Sequence, residues 1–189
     1  MRPVVKLKLE KMNYVIMLIG VLSSSLALGQ VTSKTDTLQS GELMLTQEVV
    51  INASVGTVWK AFSDPGHWKK WATPVVEMDF RINGTIKSNY NPDAEIGDAG
   101  TITLHIPFYI PERQIVMQAE IANNFPEFSK GDEKNLYTVN DFQKINDNRT
   151  KVTIYGIGYK NEPKWQKLLG FFVRGNELML NNLKKSLEQ

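Results

Sequence analysis

The chain has 189 residues, 42% hydrophobic and 22% charged, with a formal net charge of +2. At roughly 100–200 residues per domain this is one globular domain, or one with a short extension. It has no cysteine, which excludes disulfides, thiolate zinc sites, iron–sulfur clusters and cysteine nucleophiles, and its two histidines, His67 and His105, exclude a three-histidine metal site. No apolar run reaches 18 residues, so the chain does not read as a multi-spanning membrane protein.

Residues 1–29 read as a secretory signal peptide. Arg2, Lys6, Lys8 and Lys11 form a basic start, Tyr14 to Leu22 an apolar centre, and Ala27 and Gly29 the small residues of a cleavage site before Gln30. Met12 offers a second start. The expected location is therefore periplasmic or extracellular, with no stable membrane span after cleavage. Without a cysteine near the cleavage site, a lipid-anchored lipoprotein is excluded. Removing residues 1–29 leaves 18 Lys and Arg against 19 Asp and Glu, a net charge of −1, so no basic surplus argues for nucleic acid. Residues 30–42, rich in Thr, Ser and Gln, read as a flexible lead-in, and 43–189 as the folded domain.

Leu43, Leu45, Val49 and Ile51 alternate as a strand. Ser54 offers an N-cap to a short helix with Val55, Val58, Trp59 and Phe62 on one face, which stops at Asp64-Pro65-Gly66. A second helical turn follows, His67 to Trp71, with Trp68 and Trp71 on one face. The period then becomes two. Val76, Met78, Phe80 and Ile82 lead into an Asn83-Gly84 hairpin turn, and Ile86, Ser88 and Tyr90 return from it. Ile102, Leu104, Ile106 and Phe108 alternate next, then Ile115, Met117, Ala119 and Ile121. Leu136–Ile145 and Lys151–Tyr159 make a last pair of strands. Finally Trp165, Leu168, Leu169, Phe172, Met179, Leu180, Leu183 and Leu187 keep a helical stripe for about six turns. This order gives an α+β class, with one long amphipathic helix covering a curved antiparallel sheet of about six or seven strands and two short helices after the first strand.

Val49 to Trp71, VVINASVGTVWKAFSDPGHWKKW, resembles the opening of the START-like (SRPBCC) superfamily of helix-grip proteins. The stretch from Trp165 through Gly170-Phe171-Phe172 and Asn176-Glu177-Leu178 to Leu183-Lys184 is similar to the closing helix of its polyketide-cyclase-like and heat-shock ATPase activator branches. The resemblance covers roughly residues 43–188. Ile82-Asn83-Gly84-Thr85 departs from the activator branch, which often carries a Gly-Gly-Trp-type turn there.

The resemblance implies a tunnel between sheet and helix that commonly holds an apolar ligand. Combined with the alternation, it assigns the lining to Met78, Phe80, Tyr90, Leu104, Phe108, Met117 and Phe172, with Trp71 near the mouth. The alternative is that these side chains meet in a filled core. A dry void of ~300 Å³ at ~24 cal/mol per Å³ would cost ~7 kcal/mol, comparable with a domain's whole stability, so any large cavity must be filled by ligand or water.

Acid–base chemistry finds little support. His105 alternates out of phase with Leu104 and Ile106, His67 follows a turn, and Glu77 and Asp79 share the polar face of their strand. Tyr90, in the inward phase, is the best polar contact for a ligand. No metal, cofactor or catalytic residue is assigned. The expected function is an exported carrier or sensor binding a small apolar or amphipathic molecule. The alternatives are a cyclase- or lyase-like enzyme without metal, or a chaperone-activator-like protein-binding module, against which export argues. Oligomeric state is left open.

Overall fold

The computed structural model describes residues 29–120, 127–129 and 133–189. All but the last residue of the expected signal peptide, and Ile121 of the expected strand, lie outside the described residues. Among the described residues, eight strands form one antiparallel sheet: β1 (Thr32–Thr37), β2 (Leu43–Ile51), β3 (Val75–Met78), β4 (Gly84–Asn89), β5 (Ile102–Ile110), β6 (Gln114–Ala119), β7 (Tyr137–Asn146) and β8 (Arg149–Tyr159). Their spatial order is β1-β2-β8-β7-β6-β5-β4-β3, so the first core strand pairs with the last. The segment expected as a flexible lead-in instead supplies β1, which pairs with β2 from Thr32↔Glu48 to Thr37↔Leu43. It buries almost nothing, as suits an edge strand.

Two short helices follow β2: α1 (Val55–Ser63) and α2 (Pro65–Trp68). The Ser54 hydroxyl accepts from the Thr57 N–H at 3.2 Å and caps α1. Asp64 ends α1 and caps α2, accepting from the His67 N–H at 2.9 Å and from His67 Nδ1 at 2.8 Å. These hydrogen bonds hold the Asp64 carboxyl below its ordinary pKa. The final helix, α3 (Pro163–Leu187), runs for 25 residues.

Two local irregularities set which side chains face the concave side. The β3–β4 hairpin is wider than a two-residue turn, since Asp79 and Thr85 exchange backbone hydrogen bonds across the loop. Asn83 adopts φ 61°, and a Cβ on Gly84 would stand 2.0 Å from the Asp79 carbonyl, so only glycine fits there. In β5 the register to β6 shifts between His105 and Phe108. Pro107 interrupts the ladder at this bulge because it has no N–H to donate. Beyond it the alternation reverses, and Tyr109 pairs with fully buried Ile115 while Phe108 and Ile110 turn outward, 45% and 46% exposed.

The core has two parts. The larger gathers Val49, Ile51, Val58, Phe62, Trp68, Trp71, Ile86, Ile106, Ile115, Phe142, Leu180 and Leu183 beneath α1, α2 and the end of α3. The smaller gathers Leu43, Leu45, Tyr159, Trp165, Leu168 and Leu169 beneath the start of α3. Gln47, wholly buried, stands on β2 between them.

Candidate functional site

The helix α3 lies along β2 in the same direction. Its first turns meet Leu43 and Leu45, its middle meets Gln47, and its end meets Val50 and Asn52. The middle is held by polar links. Gln47 Nε2 donates to the Val173 carbonyl at 3.0 Å and to Ser33 Oγ at 2.9 Å, and Ser33 donates to Glu177 Oε1 at 2.6 Å. At the end, Lys184 Nζ donates to the Val50 carbonyl at 2.8 Å and pairs with Glu188 at 2.6 Å.

Burial along the sheet-facing stripe of α3 is uneven. Trp165, Leu168 and Leu169 are closed at one end, and Leu180 and Leu183 at the other. Between them Phe172, Val173, Asn176 and Met179 are only half-buried. Helix α3 packs chiefly on β2, β8 and α1, so its centre leaves part of the concave face of β4–β7 uncovered. Register places Leu104, Ala119, Met117 and Thr138 on that face through the pairs Ile86↔Leu104, Leu104↔Ala119 and Met117↔Thr138. Leu104, Ala119 and Thr138 are half-buried and Met117 is 5% exposed. Asn140, buried one step along β7, donates to the Ile115 carbonyl at 3.3 Å.

Of the residues assigned from sequence, Leu104 and Met117 lie on this floor, Phe172 on the helix above, and Tyr90 at the rim. Tyr90 is 58% exposed, and its hydroxyl reaches Met179 Sδ at 3.9 Å. Desolvation of that hydroxyl raises its pKa. Met78 and Phe80 pack against the larger core, and Phe80 meets Trp59 edge-on, ring centres 5.6 Å apart, and Tyr109 at 5.1 Å. Trp71 is buried beside Phe62 and Trp68, with its indole N–H on the Ala61 carbonyl at 2.9 Å. Phe108 does not face the interior, because the bulge at Pro107 puts Tyr109 there instead.

Sequence reasoning passed over Gln47, Asn140, Asn176 and Tyr109. Gln47 carried a signal, since it falls in the same phase as Leu43, Leu45, Val49 and Ile51. The histidines sit outside this face. His105 is half-exposed, 3.5 Å from Glu120, and His67 is bound to Asp64. Tyr159 is buried, and desolvation drives its hydroxyl pKa far upward, which keeps it protonated. The uncovered face therefore offers apolar surface and neutral hydrogen-bonding groups.

Solved structures share this architecture. The Aha1 dimer from Colwellia psychrerythraea matches with TM-score 0.60 and 20% identity, over 77% of this chain and 96% of that one. CalU16 from Micromonospora echinospora matches with TM-score 0.58 and 16% identity, over 82% and 81%. A conserved protein of unknown function from Enterococcus faecalis matches with TM-score 0.58 and 17% identity, over 84% and 78%. At these identities the likeness establishes the START-like helix-grip fold. No curated protein matches the sequence. The sequence model of one family matches residues 52–188, spanning the Ile82–Thr85 departure. On that match the chain belongs to the family described as Activator of Hsp90 ATPase homolog 1-like protein.

Proposed function

We propose that this protein is exported and binds a small apolar or amphipathic molecule on the concave face between the centre of α3 and strands β4–β7. The observation that carries the reading is the half-burial of Phe172, Asn176 and Met179 between two sealed ends of the same helical stripe. Apolar burial against Leu104, Met117 and Phe172 would supply the affinity, and Tyr90 at the rim the polar contact.

Native mass spectrometry of protein purified from the exported fraction tests it, followed by titration with a fluorescent fatty acid. A co-purified small molecule, or saturable probe binding that Leu104→Asp weakens at least tenfold, is the expected result. A bare mass with no saturable binding overturns it, and recovery of the chain only from the cytosol overturns export.

A second reading, a protein-binding module, is favoured by Phe171 and Leu178. They lie seven residues apart on the outer face of α3 and are 61% and 62% exposed. Loss of a partner upon Phe171→Ser with probe binding intact would favour that reading.

A further inference from the structure

The sheet ends on one side in β1, and among the described residues nothing pairs with its outer edge. The strand serves no core, since five of its six side chains are exposed. Yet it is regular. All six residues pair with β2 without a bulge, and none is glycine or proline. Ser33 ties it to Gln47 of β2 at 2.9 Å and to Glu177 of α3 at 2.6 Å. An edge strand held in this way presents every second N–H and C=O outward, where another extended chain can pair with them.

The order of residues in β1 determines which chain fits. Edge strands are commonly guarded by a lysine, which resists pairing unless an opposite charge meets it. In Thr32-Ser33-Lys34-Thr35-Asp36-Thr37 that opposite charge is built in. Antiparallel pairing of two β1 strands about a two-fold axis at Thr35 sets Lys34 of each copy opposite Asp36 of the other, and Ser33 opposite Thr37. Lys34 and Asp36 lie on one face of the strand with their charged atoms 2.7 Å apart, and their side chains are 72% and 37% exposed. Across the axis the four charges alternate at the corners of a square, so every side of it is attractive. The axis serves whichever alternate backbone groups point outward. Either the two Thr35 residues exchange hydrogen bonds, or Lys34 and Asp36 exchange them. The opposite edge has no such match. β3 carries one charge, Glu77, already 3.5 Å from Lys87 of β4. Any antiparallel register of two β3 strands sets Glu77 against an apolar residue or a second Glu77.

We infer that β1 is a self-association edge at which two copies of this chain join, antiparallel about Thr35, into one continuous sheet. The contact uses the same strand on both copies and so closes at two. It is distinct from the concave face of the proposed function and stands whether or not that face binds a ligand.

The test is sedimentation equilibrium across a concentration series. The unsubstituted protein should pass saturably from monomer to dimer. Lys34→Asp and Asp36→Lys each place like charges opposite one another and should weaken the dimer at least tenfold with an unchanged melting temperature, while Lys34→Arg should retain it. The double variant Lys34→Asp, Asp36→Lys restores the alternation and should recover the dimer. An equimolar mixture of the two single variants should do so as a heterodimer, because each supplies the charge the other lacks. A monomer at every concentration overturns the inference. A dimer that both single variants preserve places the contact elsewhere and overturns the role of β1. Loss in the single variants that neither the double variant nor the mixture repairs overturns the pairing of Lys34 with Asp36.

Discussion

Gln47 of β2 and Val173 of α3 are joined by a side-chain-to-backbone hydrogen bond of 3.0 Å at the one polar step between two apolar clusters. The same amide donates to Ser33, yet its oxygen, wholly buried, has no donor among the described residues. A buried acceptor without a partner costs about 1–3 kcal/mol, while each donated bond returns about 0.5–1.5 kcal/mol. Gln47→Met removes both the two bonds and the orphan oxygen. Its stability by urea unfolding should therefore fall within about 1 kcal/mol of the unsubstituted protein. A loss of several kcal/mol would show that the oxygen is satisfied in solution.

The glycines divide sharply. Gly158 has φ 90°, and a Cβ there would stand 1.8 Å from the Asn135 carbonyl. Gly158→Ala should cost more than about 3 kcal/mol, since it combines backbone strain with a clash against main chain. Gly175, inside α3, has open space where its Cβ would be. Gly175→Ala should stabilise by about 0.8–1 kcal/mol through helix propensity. Thermal melts of the two variants would move in opposite directions.

The bulge in β5 makes neighbouring aromatics unequal. Tyr109 packs against Trp59 and Phe80 at ring distances of 5.9 and 5.1 Å, whereas Phe108 is outward and 45% exposed. Tyr109→Ala should cost about 3 kcal/mol, and Phe108→Ala about 0.5 kcal/mol or less. Phe108→Ala should also leave fatty-acid probe binding unchanged. Similar losses from both would mean that the alternation runs unbroken through Pro107.

Glu188 gives a pH signature. Burial pushes its pKa up, but the hydrogen bonds from Lys184 and the Asn52 N–H outweigh it and hold the pKa below the ordinary 4.5. A depressed folded-state pKa gives stability that is present above the unfolded value and lost as pH falls through the folded one. Melting temperatures of the unsubstituted protein and Glu188→Gln should differ at pH 7 and converge once the pH falls below the lowered folded-state pKa. A constant gap down to pH 2 would remove the carboxylate from the account.

Most of the frame was legible because apolar spacing reports burial directly. The stripe of α3 and the phase of Leu104 and Met117 follow from it, and the Ser54 cap from a hydroxyl placed just before an apolar stripe. Asp64, expected only to stop the first helix, also caps α2, which begins two residues before the expected second helical turn. What escaped has physical causes. β1 buries no apolar face, so alternation carries no trace of it, although its three threonines favour extended backbone. Alternation alone carries Ile106 and Phe108 through Pro107 on one face, and the slip there depends on how β6 pairs beyond it. Gln47 registers as a gap in an apolar pattern, and only the position of α3 shows what its amide is for.

The course of α3 along β2 also bears on when the chain folds. The link from Lys184 to Val50 spans 134 residues, and β2 finds both its β8 neighbour and its helical cover only in the last fifth of the sequence. Closing such a long loop must precede any reward from the contacts it brings, which slows folding. Until β8 and α3 are made, Leu45, Val49 and Ile51 lack the strand neighbour and the helical cover that complete their burial, although Val58 and Phe62 of α1 already lie beside Val49 and Ile51 in the core. The core is therefore completed only by its C-terminal elements, β8 and α3.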